Sequence, residues 1–267
     1  DPGPERGATV EAGLEQMIVD VNVSLGTWPF QKFALNTPGQ LARHLKKEGI
    51  AAAWVSAIGS VLYPDPDVYD ETLFQELRRH KSLRFVKTVN PTLANWRESL
   101  EHWVRERGIR AVKLFPNYHQ YSLKDERVSE MMTAARAHRL VVFVQMRLED
   151  ERSHYPLMQV PGVACEEVIR LARAFPRVPF IALCAYFAEA GPVARAGRNL
   201  HVDLSFMETV DTLRTALKSI PAGQILFGSH TPFLNTRSAL MKLELARAGR
   251  RQLRMISSGN AARLLPG

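Results

Sequence analysis

Cysteine is scarce, with only Cys165 and Cys184 in 267 residues. No CxxC pair occurs, so neither a zinc ribbon nor a dithiol redox motif is available. Two thiols in so long a chain fit a reducing, cytoplasmic compartment, where no disulfide is expected. Long apolar runs are also missing. None approaches the roughly 20 residues that span a bilayer, and no membrane partner is expected. The opening "DPGPERGATVEAGLEQ" lacks the apolar stretch of a secretory signal. Residues 1–16 read as a polar leader, disordered or foreign to the natural protein, ahead of one domain over 17–267. No Pro/Gly-rich linker or change of composition divides that domain.

What is present is an ordinary globular mixture, 46% hydrophobic and 23% charged. The net charge of +8 attracts anions in general. Its basic residues are dispersed from Arg43 to Arg263, some as pairs such as Arg78-Arg79 near predicted helix ends, where they complement the helix dipole. No nucleic-acid-binding motif accompanies them. A small anionic ligand is therefore expected rather than nucleic acid.

Eight short apolar runs recur along the chain: "MIVDVNV" from Met17, "AAAWVSAI" from Ala51, "RFVKTV" from Arg84, "IRAVKLF" from Ile109, "LVVFVQM" from Leu140, "VPFIALC" from Val178, "LHVDLSF" from Leu200 and "QILFGS" from Gln224. Near-continuous apolarity is the pattern of parallel strands covered on both faces. Segments of helical periodicity separate them. Thr37-Pro38 reads as an N-cap followed by proline, and Gly49 and Gly108 as helix C-caps. Eightfold βα alternation predicts an α/β fold, a (β/α)8 TIM barrel with a parallel eight-stranded wall and outer helices.

In such a barrel, chemistry belongs at the carboxyl ends of the strands. There stand Asn22 and Ser24, Lys113, Gln145, Cys184, Asp203 and His230. His230 suits acid–base work. Lys113 and Arg147 suit the anchoring of an anion. Tyr118 and His119 follow the fourth strand and His154 the fifth, placed to touch a substrate, with Asp150 the expected orienter of His154. The loop of Trp28, Phe30 and Phe33 walls an apolar pocket, forms a homodimer patch or is simply pinned to the barrel rim by its rings, the last being the favoured reading.

These motifs resemble the amidohydrolase superfamily, in its amidohydrolase-related branch of hydrolases and decarboxylases. "MIVDVNVSLG" resembles that opening strand, "IRAVKLFPNYHQYSL" the fourth, "QILFGSHTPF" the eighth and "SSGNAARLL" the terminal helix. The resemblance implies a divalent metal, usually zinc, on an HxH pair, on histidines ending the fifth and sixth strands and on an eighth-strand aspartate. Here Asn22 and Ser24, Gln145, Cys184 and His230 occupy those positions. Amide oxygens are poor zinc ligands, and only Cys184 and His230 would bind zinc strongly. No cofactor is therefore expected, with zinc on Cys184 and His230 the alternative. The expected activity is hydrolysis or decarboxylation of a small anionic acid, lactone or amide. Asn22 and Gln145 then orient substrate, and the rival is a barrel that binds without catalysis.

Overall fold

All eight apolar runs form strands, one of them broken in two. The computed structural model describes residues 17–265, and the 1–16 leader lies outside them. Strand β1 spans Ile18–Leu25, β2 Ile50–Ala57, β3 Leu83–Phe85, β4 Lys87–Thr88, β5 Ala111–Leu114, β6 Val141–Gln145, β7 Phe180–Leu183, β8 Leu200–Asp203 and β9 Ile225–Leu226. Neighbours pair in chain order and in parallel, β1 to β3 in one ladder and β4 to β9 in another. The third run breaks at Val86, whose N–H turns back to Val55 O at 2.9 Å. On the opposite side, Val21 N donates to Phe227 O at 3.0 Å and Ser24 N to Thr231 O at 2.8 Å. The wall is that of a (β/α)8 barrel.

The helices follow the strands on the outside: α1 Pro38–Lys47, α2 Asp67–Leu77, α3 Trp96–Arg107, α4 Glu126–Ala137, α5 Cys165–Ala174, α6 Phe187–Arg195, α7 Thr212–Ala216 and α8 Thr236–Glu244, then α9 Arg250–Arg254 and α10 Asn260–Leu264. Thr37 caps α1, its hydroxyl accepting from Gln40 N at 3.3 Å, with Pro38 in the first helical position. Gly108 ends α3 at φ 64°, a left-handed cap that glycine adopts without strain. Among the described residues no helix is long and apolar enough to cross a membrane.

Two apolar layers hold the barrel. Val142, Val144 and Ala182 pack outward with the helices, while Phe143, Ile181, Leu183 and Leu226 pack together on the opposite faces of the same strands, inside the barrel. The β1–β2 register slips between Asp20 and Val23. Before the slip Val19 and Val21 join the inner layer; after it Val23 and Leu25 join the outer one. That bulge re-aims the strand end and turns Asn22 and Ser24 inward.

Candidate functional site

Six strand-end side chains converge inside the carboxyl end of the barrel. Asn22, Lys113, Gln145, Cys184, Asp203 and His230 are all buried, none more than 3% exposed. Asn22 Nδ2 donates to Asp203 Oδ2 at 2.9 Å and to Cys184 Sγ at 3.3 Å. Gln145 Nε2 and Ser205 Oγ also donate to that sulfur, at 3.0 and 3.4 Å. Asp203 Oδ1 accepts from Cys184 N at 2.8 Å. Cys184 and His230 hold left-handed backbones, φ 59° and 58°, a strain of order 1–3 kcal/mol each that clusters at functional sites. Gly228 is required here, because a side chain on it would collide with the Asp203 carboxyl.

Burial sets the protonation of this set. It pushes the Cys184 thiol up to about 12 despite three donors on its sulfur, so the residue is a neutral thiol. It raises Asp203 against hydrogen bonds from Asn22, Cys184 N and Ser205. It draws His230 down to about 3, with the Leu148 hydrogen bond opposing. His230 Nε2 lies 2.6 Å from Leu148 O, which can only accept, so Nε2 carries the proton and Nδ1 faces Asn22 Oδ1 bare at 3.4 Å. The ring stacks on Phe233 at 4.9 Å. His230 is thus held as a neutral imidazole in one tautomer, its basicity lowered by burial.

Lys113 makes no ion pair with Asp203 or Glu149, and Asp203 acts on it only through space. Instead Nζ donates to Ser56 Oγ at 3.1 Å and lies 5.1 Å from the Phe115 ring. It makes no ion pair among the described residues, and burial pulls it down to about 8. Arg147 is otherwise committed. Its two terminal nitrogens fork onto Glu189 at 2.7 Å each, Nη1 also donates to Cys184 O at 2.6 Å, and the guanidinium lies 3.8 Å over Tyr186. Its terminal nitrogens are thus engaged within the protein, while Nε has no partner among the described residues. Gln145 Oε1 and Trp28 Nε1 are buried with no partner among the described residues.

Aromatic side chains roof the strand ends. Trp28 meets Tyr118 at 6.0 Å and Phe233 at 5.7 Å, and packs with Phe33, Phe115 and Leu148. Trp28 and Phe33 are thus mostly buried, whereas Phe30 is exposed and stacks on Tyr155. Tyr118 and His119 border a 650 Å³ groove with Val61, Tyr63, Asn117 and Leu157. Burial pulls His119 down to about 4, and its ring touches Phe115 at 5.9 Å. Phe115 therefore contacts both the groove's histidine and the Lys113 ammonium. His154 stands apart on the loop, because Asp150 pairs with Arg152 at 2.8 Å; its Nε2 has no partner among the described residues.

Sequence reasoning placed Asp203 at a strand end and gave it only the part of an ion-pair partner for Lys113, and passed over Ser56, Glu189 and Asp20. The signal for Asp20 is an acid inside an otherwise apolar strand, which is costly unless satisfied. Glu189 carries no such mark, since an acid in the first turn of a helix is ordinary.

No curated protein matches the chain by sequence. Solved structures do match its fold. 5-Carboxyvanillate decarboxylase from Sphingomonas paucimobilis superposes with a TM-score of 0.76 at 13% identity, over 93% of this chain and 98% of that one. 2,6-Dihydroxybenzoate decarboxylase from Rhizobium gives 0.72 at 15%, over 93% and 98%. A dihydroxybenzoic acid decarboxylase from a Polaromonas species, crystallised with manganese and 2-nitroresorcinol, gives 0.73 at 14%, over 93% and 96%.

The manganese in the last structure corrects the expectation that no cofactor belongs here. Whether this chain's residues suit such an ion is a separate matter. Among the described residues no three His, Cys, Asp or Glu side chains are placed to hold a metal. Cys184 is a neutral thiol, both Asp203 oxygens accept hydrogen bonds, and the Asn22 amide stands between these two and His230. As arranged, the set does not fit a divalent ion, on Cys184 and His230 or elsewhere at these strand ends. The barrel and the order of its motifs nevertheless agree with a family model for amidohydrolases matched over residues 37–267, and the chain belongs to the amidohydrolase family.

Proposed function

We propose that the chain is an enzyme that decarboxylates a small anionic organic acid, aromatic acids being the first class to test. The observation that carries this reading is Lys113. It is a buried ammonium at the carboxyl end of the barrel, with one hydroxyl partner and no contact ion pair among the described residues, Asp203 acting on it only through space. Such a charge is costly to bury unpaired, and a carboxylate or phenolate ligand offsets that cost. Gln145 Oε1 and Trp28 Nε1 supply an acceptor and a donor to orient it. The known reactions of the three fold relatives, all decarboxylases, support the same class.

In this reading the bond from ring or chain carbon to carboxylate breaks, CO2 leaves, and the carbon keeps the electron pair and takes one proton. Asp203, raised by burial, is the proton donor we assign, and the Asn22 side-chain amide and the Cys184 N–H hold it in place. The rings of Phe115, Phe206 and Phe233 exclude water around the set. Substrate enters from the groove of Tyr118 and His119 when the aromatic roof parts.

CO2 release from a panel of hydroxylated benzoates and aliphatic acids, with and without added manganese, is the test. Turnover of at least one acid, cut by about 100-fold or more in a folded Lys113→Met variant, is the expected result. Full turnover in that variant removes Lys113 from the mechanism. The sealed, mutually hydrogen-bonded strand ends favour a second reading, a barrel that binds an acid without consuming it. An acid that raises the melting temperature and is recovered unchanged under every condition establishes that reading instead.

A further inference from the structure

Two lysines on neighbouring strands of the barrel wall are treated oppositely by the protein. Lys87 lies on β4 and Lys113 on β5, with Thr88 and Lys113 in register. Both lysines are 2% exposed, and each ammonium lies over one ring, Lys87 5.4 Å from Trp103 and Lys113 5.1 Å from Phe115. Lys87 is fully paired, its Nζ standing 2.6 Å from Asp67 Oδ1 and 3.0 Å from Asp70 Oδ2. Burial opposes its charge, and the two carboxylates overcome that and hold it above the ordinary lysine value. Lys113 has a hydroxyl instead. Ser56 Oγ accepts from its Nζ at 3.1 Å and lies 3.3 Å from Ser24 Oγ.

A buried lysine that must stay charged is given carboxylates, as Lys87 is. One left without them is disposed to lose its proton and to act through its lone pair. We propose that Lys113 is a nucleophile that condenses with the ketone of a 3-oxo acid to form an imine, from which CO2 departs. This rests on the decarboxylase reading for the site and for Asp203 as proton donor. It narrows the substrate to acids whose ketone and carboxylate are separated by one carbon. With an aromatic acid that lacks a ketone, Lys113 acts only as a cation; with a 3-oxo acid the same nitrogen takes part in bond breaking.

The steps balance. Nitrogen bonds to the carbonyl carbon, and two of the three ammonium protons leave with the carbonyl oxygen as water. The third stays on nitrogen, giving an iminium. The bond from carbon to carboxylate then breaks, and its electron pair moves to the iminium nitrogen, leaving CO2 and an enamine. The enamine carbon takes one proton from Asp203, and water hydrolyses the resulting iminium to a ketone and free Lys113. Attack needs the neutral amine, which burial makes available near neutrality by drawing Lys113 down to about 8. The Ser56 hydroxyl, already bonded to the nitrogen, is placed to carry a proton from it to the departing oxygen. The titratable groups that act on Lys113 are Cys184, Asp203 and His230. The thiol and the imidazole are neutral, so neither fixes the charge of the lysine.

The test traps the imine. Protein is incubated with acetoacetate and sodium cyanoborohydride, which reduces an iminium to a stable secondary amine, and is then digested for peptide mass mapping. At about pH 8 an ordinary lysine is almost wholly protonated, so adduct on Lys113 should exceed that on any surface lysine at least about tenfold. Lys87, equally buried but ion-paired, is the internal control and should stay unmodified. Mapping of the wild type locates the nitrogen by itself, and a folded Lys113→Met variant should lose the adduct. No adduct on Lys113, or one no more abundant than on surface lysines, overturns the proposal. CO2 release from acetoacetate above its spontaneous rate, measured without reductant, is expected alongside; adduct without that release overturns decarboxylation through the imine. No adduct together with CO2 release from a hydroxybenzoate overturns the imine and leaves the decarboxylase reading standing. No adduct and no release from any acid ends both.

Discussion

The side-chain nitrogen of Asn22 donates to the carboxylate of Asp203 at 2.9 Å. The same amide reaches Cys184 Sγ and faces His230 Nδ1. It thus stands among a carboxylate, a thiol and an imidazole, the donor types that bind first-row metals. Asn22→Ala removes the amide and leaves the three donors facing one gap. We expect this variant to bind zinc or manganese at least about tenfold more tightly than wild type, since ligand number and access govern such affinity. Elemental analysis of dialysed protein and a metal titration measure it; equal affinity in the two proteins shows that the amide does not stand in the way.

Lys113 yields a prediction about stability. Burial moves its ammonium from an ordinary 10.5 to about 8. Between those values the unfolded chain holds a proton that the native chain lacks, so this group makes the native state more stable as pH rises through the window. Below about 8 both states are charged and the whole penalty applies, about 3 kcal/mol from the size of the displacement. Lys113→Met abolishes the penalty and forfeits the Ser56 hydrogen bond, worth about 1 kcal/mol. The variant should therefore be about 2 kcal/mol more stable than wild type at pH 7, with the gain fading toward pH 10. Denaturant midpoints of the two proteins across that range check it, and a destabilised variant at pH 7 refutes it.

The barrel was legible because its evidence is local. Eight apolar runs, the Thr37-Pro38 cap and the left-handed Gly108 each declare themselves within a few residues, and the strand ends follow from topology. What a side chain does at a strand end is not local. Lys113 is legible as a strand-end cation, but its partner Ser56 is 57 residues away. Arg147 looks like a free clamp in sequence because Glu189, 42 residues on, gives no sign that it reaches back. His230 looks like an acid–base group at neutral pH because its type allows it; the burial that draws it down is a property of packed neighbours such as Phe206 and Phe233. The break at Val86 in the third strand has no marker in the sequence either.

The fork between Arg147 and Glu189 makes the last prediction one of asymmetry. The arginine side chain is 2% exposed and the glutamate side chain 26%. Glu189→Gln strips the countercharge from a guanidinium that cannot reach water, the situation in which breaking a buried pair costs about 3–5 kcal/mol. Arg147→Met leaves a carboxylate already partly in solvent and refills much of the lost volume, which should hold the cost to about 1–2 kcal/mol. Glu189 also accepts from Tyr186 N at 2.8 Å at the start of α6, a contact that the substituted glutamine keeps through its amide oxygen. That makes the difference between the two variants one of charge. Urea unfolding at pH 7 should place Arg147→Met between wild type and Glu189→Gln. The reverse order would show that the glutamate, rather than the arginine, is the partner that cannot stand alone.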